Sequence, residues 1–319
     1  MKGKRKCFVV ELSLLLMKQI ASMFLMMAVG VILVRLKVLK PEHGTVISKI
    51  LLYAVVPCTI INSYQIEFSL SKLEGLGVSI LGAVVVHVIF YVLERVLRRP
   101  LRLEPVESAS IFYSNAGNLI IPLVLAALGQ EWVFYISGYM LIQQLLIWTH
   151  GKSMVCGERQ WDIKKIVTNV NIIAIFVGII LFLTGFRFPS VVQTAVDSMA
   201  GMIAPLSMVL TGMLLGGMKF REIIGARRAY LITALRLIVF PLVVVLVFAF
   251  SGMTRLHPEA VNILLVTTLA TASASATTIT QFAQLYDNKP GYTSVISIMT
   301  VIFCIVTIPL MTGLYQWLV

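Results

Sequence analysis

The chain has 319 residues, 59% of them hydrophobic and only 13% charged. Soluble domains carry about 25% charged residues to cover their surface, so this composition excludes a soluble protein and requires a lipid solvent. The formal charge of +12 does not point to nucleic acid. Lys and Arg stand in short clusters between long apolar runs, as in loops beside an anionic leaflet, not on one face of a folded domain.

A membrane-crossing helix needs about 20 mainly apolar residues. Charge-poor runs of that kind cover 19–34, 50–66, 75–93, 108–130, 132–149, 166–186, 198–218, 229–254, 260–286 and 290–319. They predict an all-α polytopic membrane protein of ten spans. Lys2, Lys4, Arg5 and Lys6 imitate a signal peptide, but Lys18, the run continuing to Val34 and the lack of an A-x-A site make this stretch part of the first span. Pro57 predicts a kink in the second span. In the third, His87 reads first as a packing residue and second as a proton relay.

The fourth span contains Ser114-Asn115-Ala116-Gly117-Asn118 and then Pro122. Two amides, a glycine and a proline in mid-span are costly unless the backbone is unwound beside a cavity. Proline removes a donor and clashes with the preceding turn. A broken helix exposes a half-helix N-terminus, whose partial positive charge suits an anion. The alternative is that the amides and glycine only pack helices together. In the fifth span, Gln143-Gln144 adds two amides. Pro205 in the seventh span predicts a second kink. Arg236 in the eighth is an intramembrane charge, hence a site candidate, unless it snorkels to the cytosolic side.

The ninth span carries the matching polar segment, from Thr271 through Ser273, Ser275, Thr277, Thr278 and Thr280 to Gln281. Its small hydroxyl residues suit either a crossing point with the fourth span or plain tight packing. No Asp or Glu lies near the centre of a span, which removes the acidic site of a cation carrier. Cys7, Cys58, Cys156 and Cys304 are unpaired in spacing, and His43, His87, His150 and His257 are scattered, so no disulfide framework, metal or cofactor is expected. Without a catalytic constellation, an enzyme is not expected either.

The two halves echo each other 148 residues apart: Gly30 and Gly178, Pro41 and Pro189, Pro57 and Pro205. With five spans in each half (8–156 and 157–319), the second copy would lie inverted in the membrane, an architecture typical of secondary carriers. Alternate loops are rich in Lys and Arg: Arg35, Lys37 and Lys40, then Arg95 to Arg102, Lys152 to Lys165, Lys219 to Arg228, and Lys289. The opposite loops hold only Lys72, Arg187 and Arg255. The rich set is expected on the cytoplasmic side of the inner (plasma) membrane, with both termini outside, although the basic N-terminal tail runs against the rule.

Asn115-Ala116-Gly117-Asn118 with Pro122, Ala204-Pro205-Leu206-Ser207-Met208 followed by Gly212, and Phe282-Ala283-Gln284-Leu285-Tyr286 resemble the auxin efflux carrier family in its bacterial branch. The similarity runs from about Lys18 to the C-terminus. It implies two inverted five-helix repeats, related in fold to bile-acid and sodium/proton carriers. Spans 1, 2, 6 and 7 would form a scaffold, and spans 3–5 and 8–10 a moving domain in which broken spans 4 and 9 cross. Bacterial relatives are described as permeases for small organic acids such as malate or malonate. This chain has Ala and Ser where the family often has proline at the span 9 break, and Asn169-Val170 for the family's Asn-Pro at span 6.

Together these readings predict a carrier of small organic anions, such as dicarboxylates or auxin-like weak acids, working by elevator-like movement. A channel-like or receptor-like protein is the alternative. Asn115, Gly117, Asn118 and Pro122 are the leading site residues. Gln143, Ser275, Thr277, Thr278, Gln281 and Arg236 form the wider set. The expected partners are the anion, the bilayer and a second copy meeting through the scaffold.

Overall fold

The computed structural model describes residues 2–157, 164, 167–218 and 220–319. These are helical, with short connections. We label them α1 (Lys2–Arg35), α2 (Pro41–Ser63), α3 (Leu70–Arg98), α4a (Pro105–Phe112), α4b (Ala116–Ala127), α5 (130–156) and α6 (Val170–Thr184). The series continues with α7 (Ser190–Gly216), α8 (Arg227–Phe250), α9a (Ala260–Thr271), α9b (Thr277–Leu285) and α10 (Pro290–Leu318). Six are long and apolar enough to cross a membrane: α2, α3, α7, α8, α10 and the Met17–Arg35 part of α1. The helices α4b, α6 and α9a are shorter and apolar. Each predicted run falls on one helix, or on a pair for the fourth and ninth. The seventh starts earlier than predicted, at Ser190. Ile166 and the loop cations Arg159, Lys165 and Lys219 lie outside the described residues.

Local chemistry sets the helix ends. Ser69 caps α3, its Oγ accepting from the Lys72 N–H (3.2 Å), and Pro41, Pro105 and Pro290 stand in first turns, where a missing N–H costs nothing. Outer faces stay apolar and uncovered: Leu25, Phe176, Ile180 and Phe250 are all more than half exposed. That is the surface expected of helices solvated by lipid.

Three prolines inside helices share a local signature, which Pro309 within the unbroken α10 lacks. Pro57, Pro122 and Pro241 each follow a wide π-type turn, Leu51–Val55, Ala116–Ile120 and Leu235–Val239 respectively. A proline ring clashes with the carbonyl one turn earlier and offers it no N–H. Widening the preceding turn relieves both problems without ending the helix. Pro205 is different: it follows a short interruption at Met202 that divides α7 into Ser190–Gly201 and Ile203–Gly216.

Helices gather in two groups. In one, α1 lies along α7 and α2 packs on α6 and α7. In the other, α3 packs on α5 and α9a, and α10 packs on α8, α9a and α9b. The first group is tied by glycine. A Cβ on Gly30 would fall 2.2 Å from the Val209 carbonyl oxygen, and one on Gly212 would fall 2.0 Å from that of Met27, so α1 and α7 touch backbone to backbone. Gly178 of α6 presses on the Tyr64 ring of α2, where a Cβ would lie 2.4 Å from ring carbon Cδ2. Gly30 and Gly178 are 148 residues apart, and so are Tyr64 and Gly212. The same close contact therefore recurs with the halves exchanged.

The groups meet where α1 packs on α10, where α1 and α7 reach α4b, and where α2 packs on α5, the last through polar and aromatic contacts. Tyr64 and Ser137 share a buried hydroxyl–hydroxyl bond of 2.6 Å. Gln130 donates to the Asn62 carbonyl, while Asn62 donates to Asp197 (2.7 Å) and accepts from Gln193 (2.7 Å). Phe134 stacks edge-on against Tyr64 and packs on Phe182.

Candidate functional site

Tyr113 leaves the α4a helix in extended conformation (φ −102°, ψ 132°), and residues 272–276 likewise interrupt α9a and α9b. The two extended pieces cross and pair antiparallel at Ser114 and Ser275. The Asn115 N–H donates to the Ala274 carbonyl and the Ala276 N–H to the Tyr113 carbonyl, both at 2.9 Å. Exchanging the segments leaves this pattern unchanged. A two-residue ladder thus satisfies backbone groups that would otherwise be orphaned away from water.

Neighbouring helices satisfy further groups. From α5, Gln143 Nε2 donates to the Ser114 carbonyl (2.9 Å), and its Oε1 accepts from the Ser114 N–H (3.2 Å) and hydroxyl. From α10, Thr300 Oγ1 accepts from the Ser275 N–H (3.0 Å), and the Cys304 thiol lies 3.9 Å from the Ala272 carbonyl. From α8, Arg236 Nη1 donates to the Ile111 carbonyl (3.2 Å) in the last turn of α4a. A cation there matches the partial negative charge of a helix C-terminus. Arg236 is wholly buried, with its guanidinium 5.6 Å from the centre of the Phe90 ring. It does not snorkel.

Beside the crossing lies a cleft of about 60 Å³ lined by Asn115, Gly117, Asn118, Gln143, Thr277 and Thr278, together with Gln144, Asn171, Leu52 and Val56. Among the described residues no carboxylate lines it. The N-terminal ends of α4b and α9b both face it, bringing first-turn N–H groups and partial positive charge. Asn118 Nδ2 makes only a long contact to Thr277 Oγ1 (3.4 Å). Of the other predicted residues, Ser275 belongs to the ladder, Pro122 follows the π-type turn of α4b, Gln281 is exposed on α9b and Arg236 stands behind the break. None of these four lines the cleft.

Two sequence expectations need refinement. The fourth span breaks at Tyr113 to Asn115, several residues before Pro122. Of the paired amides in α5, Gln143 is committed to Ser114, whereas Gln144 lines the cleft with its amide unbonded among the described residues. Neighbours on a helix point about 100° apart, so only the helix phase decides which amide turns inward. Asn171 was not singled out from the sequence. Its position two residues after Asn169, a good helix cap, is the available signal.

An all-helical, lipid-faced chain with crossing broken helices and an amide-lined cleft defines a membrane-embedded transport protein. The sequence profile of the membrane transport protein family matches residues 15–161 and, a second time, residues 158–312. The chain belongs to this family, the one to which the auxin efflux carriers also belong. A search of curated proteins finds no match.

Proposed function

We propose that the protein is a secondary carrier of small organic anions, built as ten spans in two inverted five-helix repeats. The observation that carries this reading is the cleft: helix N-termini, free amides and hydroxyls converge where two helices break, and among the described residues no carboxylate lines it. Such a site favours negative charge, and each exposed helix terminus contributes about 0.3–1 kcal/mol. Weak, salt-sensitive binding of mono- or dicarboxylates is expected. The repeated family match and the exchanged glycine contacts support the inverted repeat. In this reading α1, α2, α6 and α7 are the scaffold and the surface for a second copy, and the other helices move against them. Movement would break the Tyr64–Ser137 and Gln130–Asn62 contacts. The protein would sit in the cytoplasmic membrane with its Lys/Arg-rich loops inside.

The test is counterflow in proteoliposomes. A carboxylate loaded inside should accelerate uptake of labelled carboxylate, which a channel or receptor does not do. Competition by carboxylates, their amides and cationic amines then fixes the charge sign. Competition by amines with none by acids would overturn the reading.

A further inference from the structure

We propose that the N-terminus of α6, through the side chain of Asn171, is a second anion subsite facing the α4 break across the cleft. The inference rests on the anion reading above and adds a residue from the opposite group of helices.

Asn169 is extended (φ −67°, ψ 118°), and its Oδ1 accepts from the N–H groups of Asn171 (3.0 Å) and Ile172 (3.2 Å). This cap starts a 15-residue helix and puts Asn171 in its first turn, the positive end of the dipole. Asn171 lines the cleft and is only 3% exposed. Neither end of its side-chain amide has a hydrogen-bond partner among the described residues; Oδ1 is fully shielded and can only accept, so Nδ2 is the donor left for an acid's oxygen. Buried amides are normally paired, so an unpaired one beside a cavity marks the place of a ligand.

Packing does not account for it. The residue 148 positions earlier, in the middle of α1, is Met23, which is buried and apolar. The polar side chain therefore belongs to the point where α6 starts, not to the repeated scaffold. Across the cleft stand Asn118 and the N-terminal ends of α4b and α9b. With α6 included, three helix N-termini surround one small space. A ligand with an acidic group at each end reaches both groups of helices, whereas a single acid reaches one.

Thermal stabilisation of the purified full-length protein by succinate, monomethyl succinate and butyrate tests this. In the wild type, half-maximal stabilisation should need about tenfold less succinate than butyrate or the monoester, the worth of one charge-assisted contact. Asn171→Ala should bring the three within about twofold, chiefly by weakening succinate. Asn171→Ser guards against a folding artefact. It keeps a small hydrogen-bonding side chain in the first turn and buries no charge, so the unliganded protein should melt near the wild-type temperature while succinate binding weakens. An unchanged succinate-to-butyrate ratio in both variants would overturn the subsite and leave the anion reading standing. Failure of all three acids to stabilise the wild type would overturn both.

Discussion

Two of the close crossings in this chain have opposite solutions. Where α1 meets α7, Gly30 and Gly212 remove side chains so that two intact helices touch. Where α4 meets α9, the helices themselves give way and extended backbone pairs through Ser114 and Ser275. The first crossing keeps every backbone bond inside its helix and leaves no space. The second frees N–H and C=O groups, which then need partners from α5 and α10, and it turns helix ends toward a cleft. In a lipid environment an open crossing persists only where it is enclosed by protein or lines a cavity. A closed crossing is therefore a joint, and an open one is a site.

The largest effect should come from breaking the joint. With a Cβ 2.0 Å from the Met27 carbonyl oxygen, Gly212→Leu forces the backbones of α1 and α7 apart. Ordinary overpacking costs about 1–3 kcal/mol through side-chain shifts, and here backbone must move, so the loss should exceed that. Size-exclusion in detergent should show no folded peak. A folded variant with a wild-type melting temperature would mean that the crossing has slack.

Next comes the support of the open crossing. Gln143→Leu removes three hydrogen bonds to Ser114 and strands a buried N–H and C=O at about 1–3 kcal/mol each. The melting temperature should fall clearly and transport should be lost. Ser114→Ala keeps both backbone bonds and should be milder. Equal losses in the two variants would mean that the hydroxyl, and not the backbone, is what Gln143 supports. Asn118→Ala probes the cleft instead. Its one weak contact to Thr277 (3.4 Å) carries little stability, within about 0.5 kcal/mol, yet transport should be abolished. Wild-type transport would reduce Asn118 to a packing element.

Much of this contrast was legible in the sequence. Asn115-Ala116-Gly117-Asn118 stood out because amides are rare in an apolar run, and the glycine and proline offsets exposed the repeat. Spacing did not reveal where the break falls. Pro122 drew attention, but a π-type turn absorbs it, and the helix ends earlier because an extended partner strand is available from α9. The roles of Gln143 and Gln144 depend on helix phase, and those of Arg236 and Asn171 on long-range packing. Composition and periodicity carry neither kind of information. Arg236 looked like a ligand residue or a snorkelling one, and tertiary structure gave it a third place, on the α4a carbonyl.

The smallest expected effect separates the two kinds of glycine. Gly117 lies in the cleft wall, and a Cβ there would meet nothing nearer than the Met140 methyl at 3.9 Å. No positive φ is required of it. Gly117→Ala should therefore fold normally, with a melting temperature close to wild type, since alanine favours helix by about 1 kcal/mol over glycine. The new methyl would nevertheless project beside a cleft of only about 60 Å³. Ligand competition should weaken modestly, and more for longer acids than for short ones. A sharp drop in melting temperature would show that Gly117 serves the backbone as Gly30 and Gly212 do. The open crossing would then depend on close packing as well as on polar pairing.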